Sequence, residues 1–345
     1  MSNLLNRSTA VPVFKEAAGT KYPFMDTYTE TLMNMFWKFD SVPLTTDVDD
    51  FKRASAREKE FIKNVMLLFT SNEVLVSSGY TKMESIFKPT EVVNWAIYAN
   101  STEVTHEKAY SLFTETIGLP NSIYTDFLDI NVMATKTTYV DKARVRKWEE
   151  YKAMGLSDAE VDFEFRRAVA RMLAIYGGFT ENVSLFAQFA MLLAYQFENK
   201  YKGLCTIVDY SIKDENVHHL GNCHLFRAYI AENSDIWDDD LKFDIYEAAR
   251  EIVSYEEALI DYLDPPHLDK NKCKQYVHYQ ADNALKELGM KSNWGVEDNP
   301  FPFMDEVTST VLTDFFSGKV TSYSRKMLGS KEELRAKLKA IHEAN

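Results

Sequence analysis

Apolar residues recur along this chain at spacings of three and four over stretches several turns long, a period that predicts helices rather than short strands. Two of these stretches, Val65 to Val76 and Ile175 to Phe186, are apolar on more than one side, as expected of helices buried in a bundle. Breakers are confined to a few places. The nine prolines stand at 12, 23, 43, 89, 120, 265, 266, 300 and 302, so residues 121 to 264 hold none, and there are only 12 glycines. Start signals agree. Ser55-Ala-Arg-Glu58 and Ser157-Asp-Ala-Glu160 read as capping boxes, and Pro89-Thr90-Glu91 as a first helical turn. The pattern predicts helices over about 24–38, 55–84, 89–117, 121–152, 157–200, 204–231, 238–263 and 270–289, with Met35-Phe36-Trp37 closing the first. Long proline-free helices suit an all-α bundle whose interior holds a cofactor. The ends, 1–22 and about 318–345, look peripheral, and no linker interrupts 120–264.

Composition narrows the partners. A formal net charge of -13 over 345 residues disfavours nucleic acid and anionic membrane surfaces. Cys205, Cys223 and Cys273 have no zinc-type spacing, which fits a reducing, cytoplasmic setting without disulfides. The first residues lack a signal-peptide pattern. The most apolar run, Leu185 to Tyr195, is interrupted by Gln188 and too short to span a bilayer. The sequons at Asn100 and Asn182 are then coincidental.

The chemistry lies in two Glu-x-x-His pairs, Glu103-Val-Thr-His106 and Glu215-Asn-Val-His218. Residues three apart share a helix face, so each pair aims a carboxylate and an imidazole at one point. A lone pair of this kind is usually a solvated face. Here, though, Val92 to Ala99 leads into the first and Leu204 to Val208 into the second, and two more glutamates, Glu73 and Glu181, sit singly in the apolar helices. A buried carboxylate must be paired, protonated or bound to metal. Four carboxylates against two divalent cations, with two neutral imidazoles, balance charge and fill the ligand positions of a dimetal site in a bundle core.

With these residues the chain resembles the small (beta) subunit of class I ribonucleotide reductases, over about residues 24 to 323. Four further features narrow the resemblance: Tyr110, four residues after His106; Asp214, directly before Glu215; Trp37; and the stretches Asn299-Pro300-Phe301-Pro302-Phe303-Met304 and Asp314-Phe315-Phe316 to Val320-Thr321-Ser322-Tyr323. The resemblance implies a ferritin-like bundle over 23–317 with additional helices, preceded by an extension at 1–22 and followed by a tail at 318–345 for docking. It implies a homodimer that serves a catalytic large (alpha) subunit in ribonucleoside-diphosphate reduction. Glu73, Glu103, His106, Glu181, Glu215 and His218 would bind two metal ions, whether iron, manganese or a mixture. Activation by dioxygen or reduced oxygen species would leave an oxidising equivalent on Tyr110 or on the metals. Trp37, Asp214 and Tyr323 would relay it to the partner.

Three departures from the family pattern bear on this. The first ligand is glutamate, as in manganese/iron and dimanganese members, where diiron–tyrosyl members have aspartate. Ser211 stands where an apolar neighbour of Tyr110 is usual. The tail after Tyr323 is basic rather than acidic. Two other dimetal proteins share the ligand set. A reductase-like ligand-binding oxidase would use a tyrosine five residues before Glu181, here Tyr176, and would not need Trp37 or Tyr323. A ferritin-like metal store would need neither as well.

Overall fold

The computed structural model describes residues 3–5, 19–136 and 143–308; within these, nothing is described of the side chains at 3, 70–73, 75, 128 and 134–136. Helices dominate. In chain order they are α1 (Pro23–Met35), α2 (Thr45–Arg53), α3 (Ala56–Ile86), α4 (Thr90–Thr116), α5 (Ile123–Asp126), α6 (Asn131–Lys136), α7 (Trp148–Ala153) and α8 (Asp158–Leu173). A π-helical segment (Ala174–Val183) joins α8 to α9 (Ser184–Leu193), followed by α10 (Lys202–Glu232), α11 (Asp239–Leu263) and α12 (Lys270–Glu287). No strand occurs among the described residues.

The expected starts are built as the sequence dictates. Ser157 and Glu160 form a full capping box on α8. Ser55 caps α3 by accepting from the Glu58 amide, but the Glu58 carboxylate turns away to Lys200. Glu91 does not serve its own helix. It accepts from the Lys21 and Tyr22 amides at 3.0 and 2.9 Å and so caps the start of α1.

The core is the packing of α3 on α4, and of α10 on the π segment and α9. These four runs form the bundle. Helix α1 lies across α4 and α10, while α11 and α12 pack on the π segment. Trp95, Phe69, Phe113, Phe179 and Phe189 fill the interior with under 2% exposure, so the space between the four runs is closed to solvent. Cys205, Cys223 and Cys273 are buried free thiols. Among the described residues no helix is long and apolar enough to cross a membrane.

Three elements depart from the periodicity. The helix expected over 121–152 is broken into α5, a 3-10 turn, α6 and α7. Ile130 adopts an extended conformation between Asp129 and Asn131. The stretch is rich in Asn, Asp, Thr and β-branched residues, which compete with or crowd helical backbone. Helix α2 has no counterpart in the hydrophobic pattern, since a tertiary need sustains it. Its Asp47 accepts from the Gly203 and Leu204 amides at 3.0 and 2.8 Å, and Asp50 from Tyr201 at 2.9 Å, so this short acidic helix caps the start of α10. The run expected over 157–200 is helical almost throughout, but it widens to π geometry where Glu181 sits. At Gly177 the segment comes so close to α10 that a Cβ would lie 2.2 Å from that of Asn222. The Gly177 carbonyl accepts from His219 Nδ1 at 2.8 Å. Burial holds the His219 imidazole below its usual range, so it stays neutral and offers that N–H.

Candidate metal centre

Each element delivers its residues to one point inside the bundle. Helix α4 presents Glu103 and His106, α10 presents Glu215 and His218, and the π segment presents Glu181; all five are at most 1% exposed. Ligand atoms of Glu103, Glu181, Glu215 and His218 lie within 4.8 Å of one another. His106 joins through Nδ1, 3.0 Å from Glu215 Oε1 and 3.6 Å from Glu103 Oε2. His218 Nδ1 lies 2.9 Å from Glu103 Oε1, 2.8 Å from Glu215 Oε2 and 3.8 Å from Glu181 Oε1.

The two Glu-x-x-His glutamates therefore span the centre. Each gives one oxygen to the His106 side and the other to the His218 side, with the two imidazole rings 6.4 Å apart. Glu181 lies toward His218. Glu73 belongs to α3, which packs on α4, but its side chain lies outside the described residues, as does Tyr323.

The electrostatics are those of a cluster short of positive charge. Burial raises the Glu181 carboxyl well above its usual range, and the charges of Glu215 and Glu103 add to this. For both imidazoles burial alone favours the neutral form, yet the facing carboxylates win, Glu215 foremost at His106 and Glu103 at His218, and hold them well above the usual range. Burial also opposes the charge on Glu215, but His106 and His218 together outweigh it and hold that carboxyl low. Even so, two imidazoles cannot satisfy every oxygen: Oε2 of Glu103 and Oε2 of Glu181 are buried without a hydrogen-bond partner. Buried acceptors left unsatisfied cost several kcal/mol together, about 1–3 each. A pair of cations between the carboxylates removes that cost, so the donor set fits a dinuclear metal group: carboxylate oxygens and imidazole nitrogens, some of the oxygens otherwise unmatched.

Both imidazoles are held from behind. His106 Nε2 lies 3.1 Å from Asp214 Oδ2, which also accepts from Trp37 Nε1 at 2.8 Å; the Trp37 and His106 rings stack 6.0 Å apart. Trp37 lies two residues past the end of α1, because the chain leaves the helix at Phe36. His218 Nε2 lies 2.8 Å from Thr102 Oγ1, whose single proton goes to the Ala99 carbonyl at 2.7 Å. Toward His218 the hydroxyl must then accept. When the ring is neutral it therefore keeps its proton on Nε2 and turns the Nδ1 lone pair to the carboxylates.

The Tyr110 hydroxyl donates to Ser211 Oγ at 3.0 Å, and its ring packs 4.7 Å from Phe69. Leu185 and Phe189 are buried in the same core. Tyr176 has its hydroxyl engaged by Lys82 Nζ at 3.1 Å.

A family model for the ribonucleotide reductase small chain matches residues 17–300. The chain belongs to the ribonucleotide reductase small-chain family. The probable ribonucleoside-diphosphate reductase small subunit of Invertebrate iridescent virus 6 is 31% identical over 319 residues, covering 84% of this chain and 88% of that one. The fold is that of the ribonucleotide reductase R2 subunit from Clostridium botulinum, with a TM-score of 0.72 at 15% identity over 88% of this chain and 99% of that one. The dimanganese(II) protein of Streptococcus sanguinis superposes with a TM-score of 0.68 at 18% identity, covering 86% of this chain and 99% of that one.

Within this small-chain fold, five of the six expected ligands converge, with Asp214 and Trp37 behind His106. Sequence reasoning missed Thr102, Tyr80 and Asn222. The Tyr80 hydroxyl donates to Glu181 Oε1 and accepts from Asn222 Nδ2 at 3.0 Å. One signal was available in the sequence: Tyr80 stands seven residues after Glu73, a spacing of about two helical turns.

Proposed function

We propose that this chain is the radical-generating small subunit of a class I ribonucleoside-diphosphate reductase, holding two metal ions per chain. The observation that supports this most directly is the spanning geometry of Glu103 and Glu215, each with one oxygen toward either imidazole. Glu73, Glu103, His106, Glu181, Glu215 and His218 would hold the pair, with Glu103 and Glu215 shared and Glu181 on the His218 side. When bound, the metals, iron or manganese or one of each, supply oxygen activation and a stored oxidising equivalent.

The chain's own residues do the rest. Asp214 fixes the His106 ring and connects it to the Trp37 indole through one shared oxygen, so a proton and an electron have a continuous path away from the centre. Thr102 fixes the tautomer of His218. The closed apolar packing around Tyr110 keeps water from an oxidised phenol, while Ser211 gives it a hydroxyl partner. Tyr323, in the 318–345 tail, would continue the route to a large subunit where nucleotides are reduced. Residues 23–317 would form the body. A homodimer would bury the apolar side chains of Val74, Ile97 and Val104, which are about half exposed on α3 and α4.

Residues that only relay are dispensable for metal binding. Trp37→Phe and Asp214→Asn should keep two metals per chain, with nucleotide reduction lowered by orders of magnitude when the large subunit is added. Full turnover in Trp37→Phe, at normal metal content, would contradict the relay.

A further inference from the structure

The hydrogen bonds around Glu181 give a task to a side chain outside the roles above. Tyr80, on α3, is 3% exposed. Its hydroxyl contacts both Glu181 Oε1 and Asn222 Nδ2. Asn222 Oδ1 in turn accepts from Trp95 Nε1 at 3.0 Å. The direction of this chain is fixed chemically. An indole N–H only donates, so the amide oxygen of Asn222 faces Trp95 and its NH₂ faces Tyr80. The phenol oxygen accepts from that NH₂, which directs its single proton to the carboxylate. The Tyr80 ring lies 5.6 Å from that of His218. The Tyr110 hydroxyl, by contrast, donates to a serine hydroxyl.

Oxidising a phenol without moving its proton leaves a strongly acidic cation, so a base already hydrogen-bonded to the O–H removes most of the barrier. A carboxylate is such a base; an alcohol is a poor one. We propose that Tyr80 is a second redox-active tyrosine of this centre, oxidised by the metal pair with Glu181 as its proton acceptor. The inference rests on the dimetal reading.

With a metal pair bound there and oxidised by dioxygen, the Tyr80 ring would give up one electron, lowering the pair by one oxidising equivalent. The phenol O–H bond breaks, its proton forms an O–H bond on Glu181 Oε1, and a neutral phenoxyl remains. Trp95 and Asn222 hold the phenol in the orientation that makes the transfer direct.

The test uses the full chain as wild type, Tyr110→Phe and Tyr80→Phe/Tyr110→Phe, loaded aerobically with Fe(II) and Mn(II). Metals are counted, and electron paramagnetic resonance spectra are recorded with ordinary and ring-deuterated tyrosine. Tyr110→Phe is expected to bind two metals and give a radical signal that narrows on deuteration; the double variant loses the signal. A variant that keeps the phenol guards against a folding or loading effect. With 3,5-difluorotyrosine at position 80 of Tyr110→Phe, fluorine splitting must appear. Tyr110→Phe with two metals bound and no tyrosyl signal would overturn the proposal, as would a spectrum unchanged by the fluorines. Failure of the dimetal reading is separately visible, as wild type without two metals before any spectrum is taken.

Discussion

A single threonine proton sets the state of one imidazole. Because Thr102 gives its proton to the Ala99 carbonyl, it accepts from His218 Nε2, so the neutral ring has its Nδ1 lone pair aimed at three carboxylates. Thr102→Val keeps the shape but removes the acceptor. Partners of ligand histidines are typically worth 10–100-fold in metal affinity, so a loss of about that size is expected in a metal titration, with the far-ultraviolet circular dichroism unchanged. Equal affinity in wild type and variant would show that the tautomer is set elsewhere. Legibility in the sequence differed between the two supporting residues. Asp214 could be read because it directly precedes a ligand in a familiar pattern. Thr102 could not, because a helical threonine bonded to a preceding carbonyl is commonplace. Tyr80 was hidden for a related reason: an isolated tyrosine in an apolar helix is usually core.

Among elements, the long helices α3, α4, α10, α11 and α12 were legible because a buried face imposes its period on the sequence. Helix α2 was not, since what sustains it is the pair of carboxylates it lends to α10. The break in 121–152 was hidden by the absence of proline and glycine after Gly118 and Pro120; weak helix formers and polar residues end the helix there instead. The π segment was also invisible to periodicity, although the paired glycines 177 and 178 marked where something closer than a side chain was needed. Wider π turns often stand at functional sites, and here the segment bears Glu181. Gly177→Ala tests its importance. The new methyl would meet Asn222 Cβ at 2.2 Å, a rigid contact. Overpacking of this kind costs about 1–3 kcal/mol. The midpoint of denaturant unfolding should fall accordingly, and metal content with it, as Glu181 shifts. An unchanged midpoint would mean that the segment yields without cost.

Across the whole molecule, the bundle stores an electrostatic mismatch that metal resolves. In the metal-free chain His106 and His218 are held above the usual imidazole range by carboxylates, so their contribution to stability is complete below about pH 6.5 and is lost as pH rises through their raised values. Metal binding runs the other way. It needs both imidazoles neutral and Glu181 ionised, so protons are released and affinity increases with pH. The difference in melting temperature between loaded and metal-free protein should therefore widen from about pH 6 to pH 8. A constant difference would mean that the cluster is already deprotonated before the metals arrive.

Glu103, His106, Glu181, Glu215 and His218 would hold a metal pair together with Glu73, and Glu103 and Glu215 each face both imidazoles. The metal-to-chain ratio of purified, folded protein, for wild type beside Glu215→Ala, tests this. A shared ligand binds both ions, so its loss should release both: two metals per chain in wild type, and well below one in the variant with its helices intact. Two metals retained in Glu215→Ala, or no metal in wild type after loading, would contradict the account.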